Sequence, residues 1–314
     1  MNEAAETFVF VGHEAAEREI AEAVASGRFH HAWLISGPRG VGKATLAFRA
    51  ARVALGAEAI GPRPLDVASD DNVAKLIAAQ AHPDFFLLAR GLNERGKLRR
   101  EITAEEARGI GAFFALGSAS GGLRVAIIDA VDDLNRHAAN AILKTLEEPP
   151  PRTLLLLVCH APGAILATIR SRCRRLSLRP LPAAEMAKVG AFDAATLALA
   201  AGRPGRALAL QAEAGLARAI LEALDALPKR GGAALMALAS GGGDRNERLT
   251  LVIDALEDWL HAAAVRGDAR AAAYAALYGE LEELRAQAEG LDLDPGHALA
   301  RAALLFDRAA AAPT

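Results

Sequence analysis

Gly37-Pro38-Arg39-Gly40-Val41-Gly42-Lys43 constrains this chain more than any other stretch. An apolar run, Trp33-Leu34-Ile35-Ser36, precedes it, and good helix formers follow from Lys43 to Leu55, closed by Gly56. The seven residues match the start of the phosphate-binding loop G-x-x-x-x-G-K-[ST]. Glycines let successive backbone N–H groups face one hollow, the helix N-terminus adds partial positive charge, and Lys43 is placed to reach outer phosphates. The competing reading is a glycine-rich turn with an incidental lysine. The strand before and the helix after favour the phosphate loop.

The rest of the first half repeats the strand–helix alternation. Arg124–Asp129 and Thr153–Cys159 are uninterrupted apolar runs. Such runs suit parallel strands covered on both faces. Phe85–Leu88 reads as another strand. Helices are expected over Glu14–Ser26, ended by Gly27, and from Thr103, an N-cap, through Leu116. Another runs from about Arg136 to Glu148 and stops at Pro149-Pro150-Pro151. Residues 57–82 look irregular, and Arg90–Arg100 reads as a loop or hairpin. After Pro182 nearly everything reads as Ala- and Leu-rich helix. Leu249, Val252, Ile253, Leu256, Trp259, Leu260 and Ala263 share one face; Tyr274, Leu277, Tyr278, Leu281, Leu284, Ala288 and Leu291 share another. Gly241-Gly242-Gly243 reads as an interhelical loop. The expected architecture is an α/β P-loop domain with a parallel sheet over 1–178, a small helical lid over 179–215, and an all-α C-terminal domain over 216–314.

Composition narrows the class. At 314 residues there is room for two or three domains. Hydrophobic residues make up 52%, which excludes a disordered chain, and aromatics only 4%, so the core must be aliphatic. A net charge of −2 gives no global positive field to draw the whole chain onto nucleic acid. The basic residues are 6 Lys and 30 Arg, which with the abundant Ala reads as codon bias. Two cysteines, Cys159 and Cys173, are too few for a disulfide framework or a four-thiolate zinc site. The acidic start, Met1–Glu6, is unlike a basic signal peptide, and no apolar stretch nears the ~20 residues of a membrane helix. The expected compartment is the cytoplasm, with no membrane partner.

The phosphate loop has two defects. Ala44 stands where a Ser or Thr hydroxyl holds Mg²⁺, and Thr45 is one residue late, about 100° round the helix. Asp129 ends its strand like a Walker B acid, but Ala130 follows where hydrolytic relatives carry a Glu. Asp132 or Asp133 replacing that base is the alternative to its simple loss. Phosphates can be cradled; the metal that neutralises transition-state charge is poorly held.

Further motifs add a resemblance. Gly12-His13, His30-His31-Ala32-Trp33-Leu34, Asn140-Ala141-Ile142-Leu143-Lys144-Thr145-Leu146-Glu147-Glu148-Pro149-Pro150, Ser171-Arg172-Cys173 and Gly202-Arg203-Pro204-Gly205-Arg206-Ala207-Leu208 occur in this order. The set resembles the AAA+ subunits of the bacterial DNA polymerase III clamp loader, strongly over residues 10–210. The two site defects make the delta prime type the better match than the gamma and tau motors. The resemblance implies a non-hydrolysing ring member, a rigid stator, with partners delta and gamma/tau, the sliding clamp, and primer-template DNA reached through the complex. It implies that Arg172 is an arginine finger acting in trans on a neighbour's ATP, and that the C-terminal helices form a collar. Gly37, Gly40, Gly42, Lys43, Thr45, Asp129 and Arg206 would be the nucleotide-binding set, vestigial or holding ATP that is not hydrolysed. For Arg206 a lid salt bridge is the even alternative. Arg174, Arg175 and Arg179 read as a solvated basic strand edge, His160 as strand-end packing or a phosphate contact, and Lys144 as solvated or DNA-facing. The family's four-cysteine zinc module is missing: residues 44–128 hold no Cys, so no zinc is expected, and His82 belongs to a His-Pro-Asp turn. An active gamma/tau-like ATPase, and a P-loop protein outside any ring, remain as alternatives.

Overall fold

A computed structural model describes residues 3–27, 29–93, 98–119, 121–239, 244–291 and 294–312, without the side chains of 286 and 289–291. The expected loop at Gly241-Gly242-Gly243 and the side chain of Leu291 lie outside these.

Five parallel strands form one sheet: β1 (Ala32–Ser36), β2 (Phe85–Ala89), β3 (Arg124–Asp129), β4 (Thr153–Cys159) and β5 (Arg174–Ser177), in the order β2-β3-β4-β1-β5. The uninterrupted apolar runs have a direct cause. Alternate side chains enter two cores, one on each face of the sheet. Trp33, Ile35, Val125, Ile127, Leu154, Leu156 and Val158 pack on one side. Leu34, Ala126, Ile128, Leu155, Leu157 and Cys159 pack on the other.

Among the described residues, eight α-helices accompany the sheet: α1 (Glu3–Glu6), α2 (Glu14–Ser26), α3 (Lys43–Ala54), α4 (Asn72–Ala78), α5 (Ala104–Ala115), α6 (Arg136–Glu147), α7 (Ala167–Ser171) and α8 (Ala183–Val189). Gly27, with φ of 63°, ends α2. Thr103 and Glu106 form a full capping box at the start of α5. Helix α4 is absent from the sequence expectation; it is a short element started by Asp71, whose side chain accepts from Ala74 N at 2.9 Å. Its surroundings are held by charge. Glu17 is fully buried and receives Arg49 at 2.6 Å as well as Arg63, while Arg49 also meets Asp66 at 2.5 Å. Two cations and two carboxylates from distant positions thus tie residues 63–66 to α2 and α3.

The chain divides into two compact units: one to Gly91, from Glu101 to Val189 and over 202–204, and a second that includes Gly190–Ala201 and the chain from Gly205. The second is helical: α9 (Ala194–Ala200), α10 (Pro204–Ala212), α11 (Leu216–Arg230), α12 (Ala233–Met236), α13 (Arg245–Val265), α14 (Ala271–Leu291) and α15 (Pro295–Ala310). Residues expected as a lid are therefore shared between the units. Helix α8 lies in the first, while α9 and α10 put Leu199 and Leu210 into the core of the second. That core takes the α13 face read from sequence and most of the α14 face. Tyr278 departs from it, at 43% exposure. It lies one residue beyond buried Leu277, about 100° further round the helix.

Candidate functional site

The parallel register brings the C-terminal ends of the strands to one rim. Ser36 pairs in register with Cys159 and Ser177, and Asp129 with Val158. Ligands of open α/β sheets bind at this rim. The phosphate loop leaves β1 here. Its glycines are needed as such: Gly42 has φ of 100°, and a Cβ on it would stand 2.8 Å from the Phe10 ring. Gly37 leaves no room either, since its Cβ would meet Leu178 O at 2.3 Å.

Lys43 turns inward. Its Nζ donates to Gly37 O and Pro38 O, each at 2.7 Å, and the residue is 3% exposed. Burial pushes its pKa down to about 8; Arg39 acts in the same sense, against Asp132, Cys159 and Asp129. The loop's cation thus rests on the loop's own carbonyls.

The acidic side is committed to structure. Asp132 accepts from His160 N at 2.6 Å and Ala161 N at 2.8 Å, and from the Cys159 thiol at 3.5 Å. It holds the end of β4. Burial, with Asp132 beside it, pushes the Cys159 thiol up to about 12. Asp133 pairs with Arg90 at 3.2 Å, and burial raises its carboxyl above the ordinary range, with Arg90 opposing. Asp132 thus bonds backbone amides, and Asp133 an arginine. Asp129 ends β3 close enough to Lys43 to raise its pKa. Thr45 is half-buried in the first turn of α3 and follows Ala44. The donor set therefore fits phosphate better than a divalent metal, which wants several oxygen ligands in fixed geometry. Among the described residues no group of three or more His, Cys, Asp and Glu could hold a metal ion. His82 belongs to its turn, accepting from Asp84 N at 3.2 Å.

Ser171-Arg172-Cys173 forms a corner between α7 and β5. Ser171 Oγ donates to Thr168 O at 3.1 Å, and buried Cys173 anchors the turn in the sheet core. Burial holds its thiol at about 12. Between these two anchors Arg172 projects outward with its side chain 36% exposed. Its guanidinium meets Glu147, the last residue of α6, at 2.9 Å, and donates to Thr168 O at 3.1 Å. Arg174, Arg175 and Arg179 are exposed; Arg174 also pairs with Glu19 at 2.7 Å and covers the Trp33 ring.

Arg206 lies in the helical unit, where its buried guanidinium pairs with Asp258 of α13. Of its two readings from sequence, the salt bridge is the contact observed. Lys144 is exposed on α6. The roles of Asp132 and Glu147 escaped the sequence. Asp132 follows β3 by three residues but serves β4, and Glu147 sits within a recognised motif without any periodic signal pointing to Arg172.

A family model described as DNA polymerase III, delta subunit, matches residues 12–182. That stretch exceeds half the chain and contains the phosphate loop, β3, α6 and the Arg172 corner. The chain belongs to this family. Among curated relatives, DNA polymerase III subunit delta' of Pseudomonas aeruginosa is 36% identical over 156 residues, 49% of this chain and 44% of its own length. The Escherichia coli delta' subunit is 36% identical over 199 residues, 59% and 55% of the two chains. The E. coli tau subunit is 33% identical over 171 residues, 54% of this chain and 25% of tau. The chain thus spans about half the length of the delta' relatives it matches. A Thermotoga maritima structure described as a DNA polymerase III gamma subunit-related protein aligns with 94% of this chain and 99% of its own, at 14% identity and a TM-score of 0.42. No helix of the described residues is long and apolar enough to cross a membrane.

Proposed function

We propose that this chain is the delta prime-type subunit of a DNA polymerase III clamp loader. It assembles with delta and gamma/tau subunits in a hetero-oligomer, does not turn over ATP itself, and supplies Arg172 to a neighbour's ATP while the ring loads the sliding clamp on primer-template DNA. The outward Arg172, anchored by Ser171 and buried Cys173 inside the family-matched segment, carries this reading. A guanidinium offers fixed positive charge and planar donors suited to a phosphate across an interface. The phosphate loop supports the non-hydrolysing part: Ala44 and Ala130 lack the functional groups, and Asp132 and Asp133 are bonded elsewhere. ATP fits the loop only if Lys43 leaves the Gly37 and Pro38 carbonyls.

Co-purification with delta and gamma/tau, with ATP turnover measured on the isolated chain and on the complex, tests the proposal. The expected result is a stable complex and no turnover by the isolated chain above that of Lys43→Ala. Turnover lost in Lys43→Ala would establish the gamma/tau-like alternative instead. A chain that binds neither partner would establish a P-loop protein outside any ring.

A further inference from the structure

We infer that Glu147 is a positioning residue for Arg172. The inference rests on the finger reading above and adds to it a residue that sets the finger's geometry. An arginine on a surface turn samples many rotamers, and each must be given up before its guanidinium can face a phosphate. Here an ion pair and a hydrogen bond restrict it beforehand. Glu147 Oε1 lies 2.9 Å from Nη2, and Thr168 O accepts from Nη1 at 3.1 Å. The two partners come from the C-terminal end of α6 and from within the short α7, whose C-cap is Arg172 itself. Helix C-termini carry partial negative charge, so the end of α6 favours a cation beside it. One of the five guanidinium N–H groups is engaged in a hydrogen bond, which leaves others for an incoming oxyanion. The pair is too exposed, 36% and 47%, to add much to fold stability, so its consequence is the direction of the guanidinium. Glu147 need not touch the nucleotide; it acts through Arg172.

The carboxylate charge is what this contact supplies, since it is an ion pair. Gln at 147 keeps the reach without the charge, and Ala keeps neither. The test uses the reconstituted clamp-loader complex containing this chain as wild type, E147A, E147Q or R172A, with assembly checked by size-exclusion chromatography. Steady-state ATP turnover in the presence of clamp and primed DNA is the readout. E147A is expected to lower kcat by about 3–10-fold, the cost of re-ordering one long side chain. KM for ATP should hold, because a finger acts on charge formed in the transition state. E147Q, which removes the charge of the ion pair, is expected to slow the complex about as much as E147A. A wild-type or faster E147A beside a strongly slowed R172A would overturn the positioning role and leave the finger reading standing. An R172A complex at wild-type speed would overturn both. An E147Q within about twofold of wild type would overturn the charge argument, since an oxygen acceptor alone would then be the operative property.

Discussion

The phosphate loop and the Arg172 corner each present one cation at the edge of the same α/β unit, in opposite states. Lys43 is 3% exposed and bonded to two carbonyls of its own loop; Arg172 is 36% exposed, between a helix end and solvent. The carboxylates differ in the same way. Asp132 is consumed by two backbone amides and a thiol at the end of β4, while Glu147 holds Arg172 by one exposed contact. One region is internally satisfied. The other is loosely satisfied and open to a partner. The comparison teaches that two cations of one unit can differ in whether the fold itself has already bonded them.

The comparison can be broken in several ways. The largest expected effect is functional: Arg172→Ala should reduce ATP-driven clamp loading by the complex by about 10³-fold while this chain still folds and assembles. Loading at the wild-type rate would place the active cation elsewhere. In the loop the effects should fall on stability instead. Asp132→Ala strands the part-buried His160 N–H at the end of β4 and should cost about 1–3 kcal/mol in urea unfolding. A loss under about 0.5 kcal/mol would mean that water replaces the carboxylate. Gly42→Ala must adopt φ of 100° against the Phe10 ring and should cost about 1–3 kcal/mol. Lys43 supplies a pH test. Its folded pKa, about 8, lies below the ordinary 10.5, so the unfolded chain binds more protons between those values. Wild type should therefore gain stability relative to Lys43→Met as pH rises from about 8 to 10.5. A pH-independent difference would show that Lys43 is not desolvated. The smallest effect is at the corner: Glu147→Ala should change unfolding free energy by less than about 1 kcal/mol. A larger loss would make Glu147 a structural residue and end the contrast.

Much of the fold was legible because it rests on local patterns. Arg124–Asp129 and Thr153–Cys159 are strands with the bounds read from the chain, since residues buried on both faces leave an unbroken apolar run. Gly27 and Thr103 mark helix ends through backbone conformation and capping that neighbouring residues dictate. Helix α4 was not legible. It is seven residues long, between breakers, and its region is held by Glu17, Arg49, Arg63 and Asp66 from separate segments. Tyr278 shows a finer limit: the α14 periodicity was right, but the width of its buried stripe depends on what packs against it.

At the candidate site the sequence by itself determined which groups are present and which are lost. Gly37, Gly40, Gly42 and Lys43 form the loop, Ala44 and Ala130 empty two positions, and Arg172 is bracketed by Ser171 and Cys173. Only the tertiary structure decided what those groups are bonded to. Lys43 folds back on its loop because burial penalises its charge and two carbonyls lie in reach. Asp132 serves β4, 28 residues away, because parallel pairing brings the strand ends together. Arg206 meets Asp258, and Arg172 meets Glu147, across spans of 52 and 25 residues that no local pattern encodes. Residue identity is a property of the chain, but the partner of a charge is a matter of distance in space, and that is settled when the elements pack.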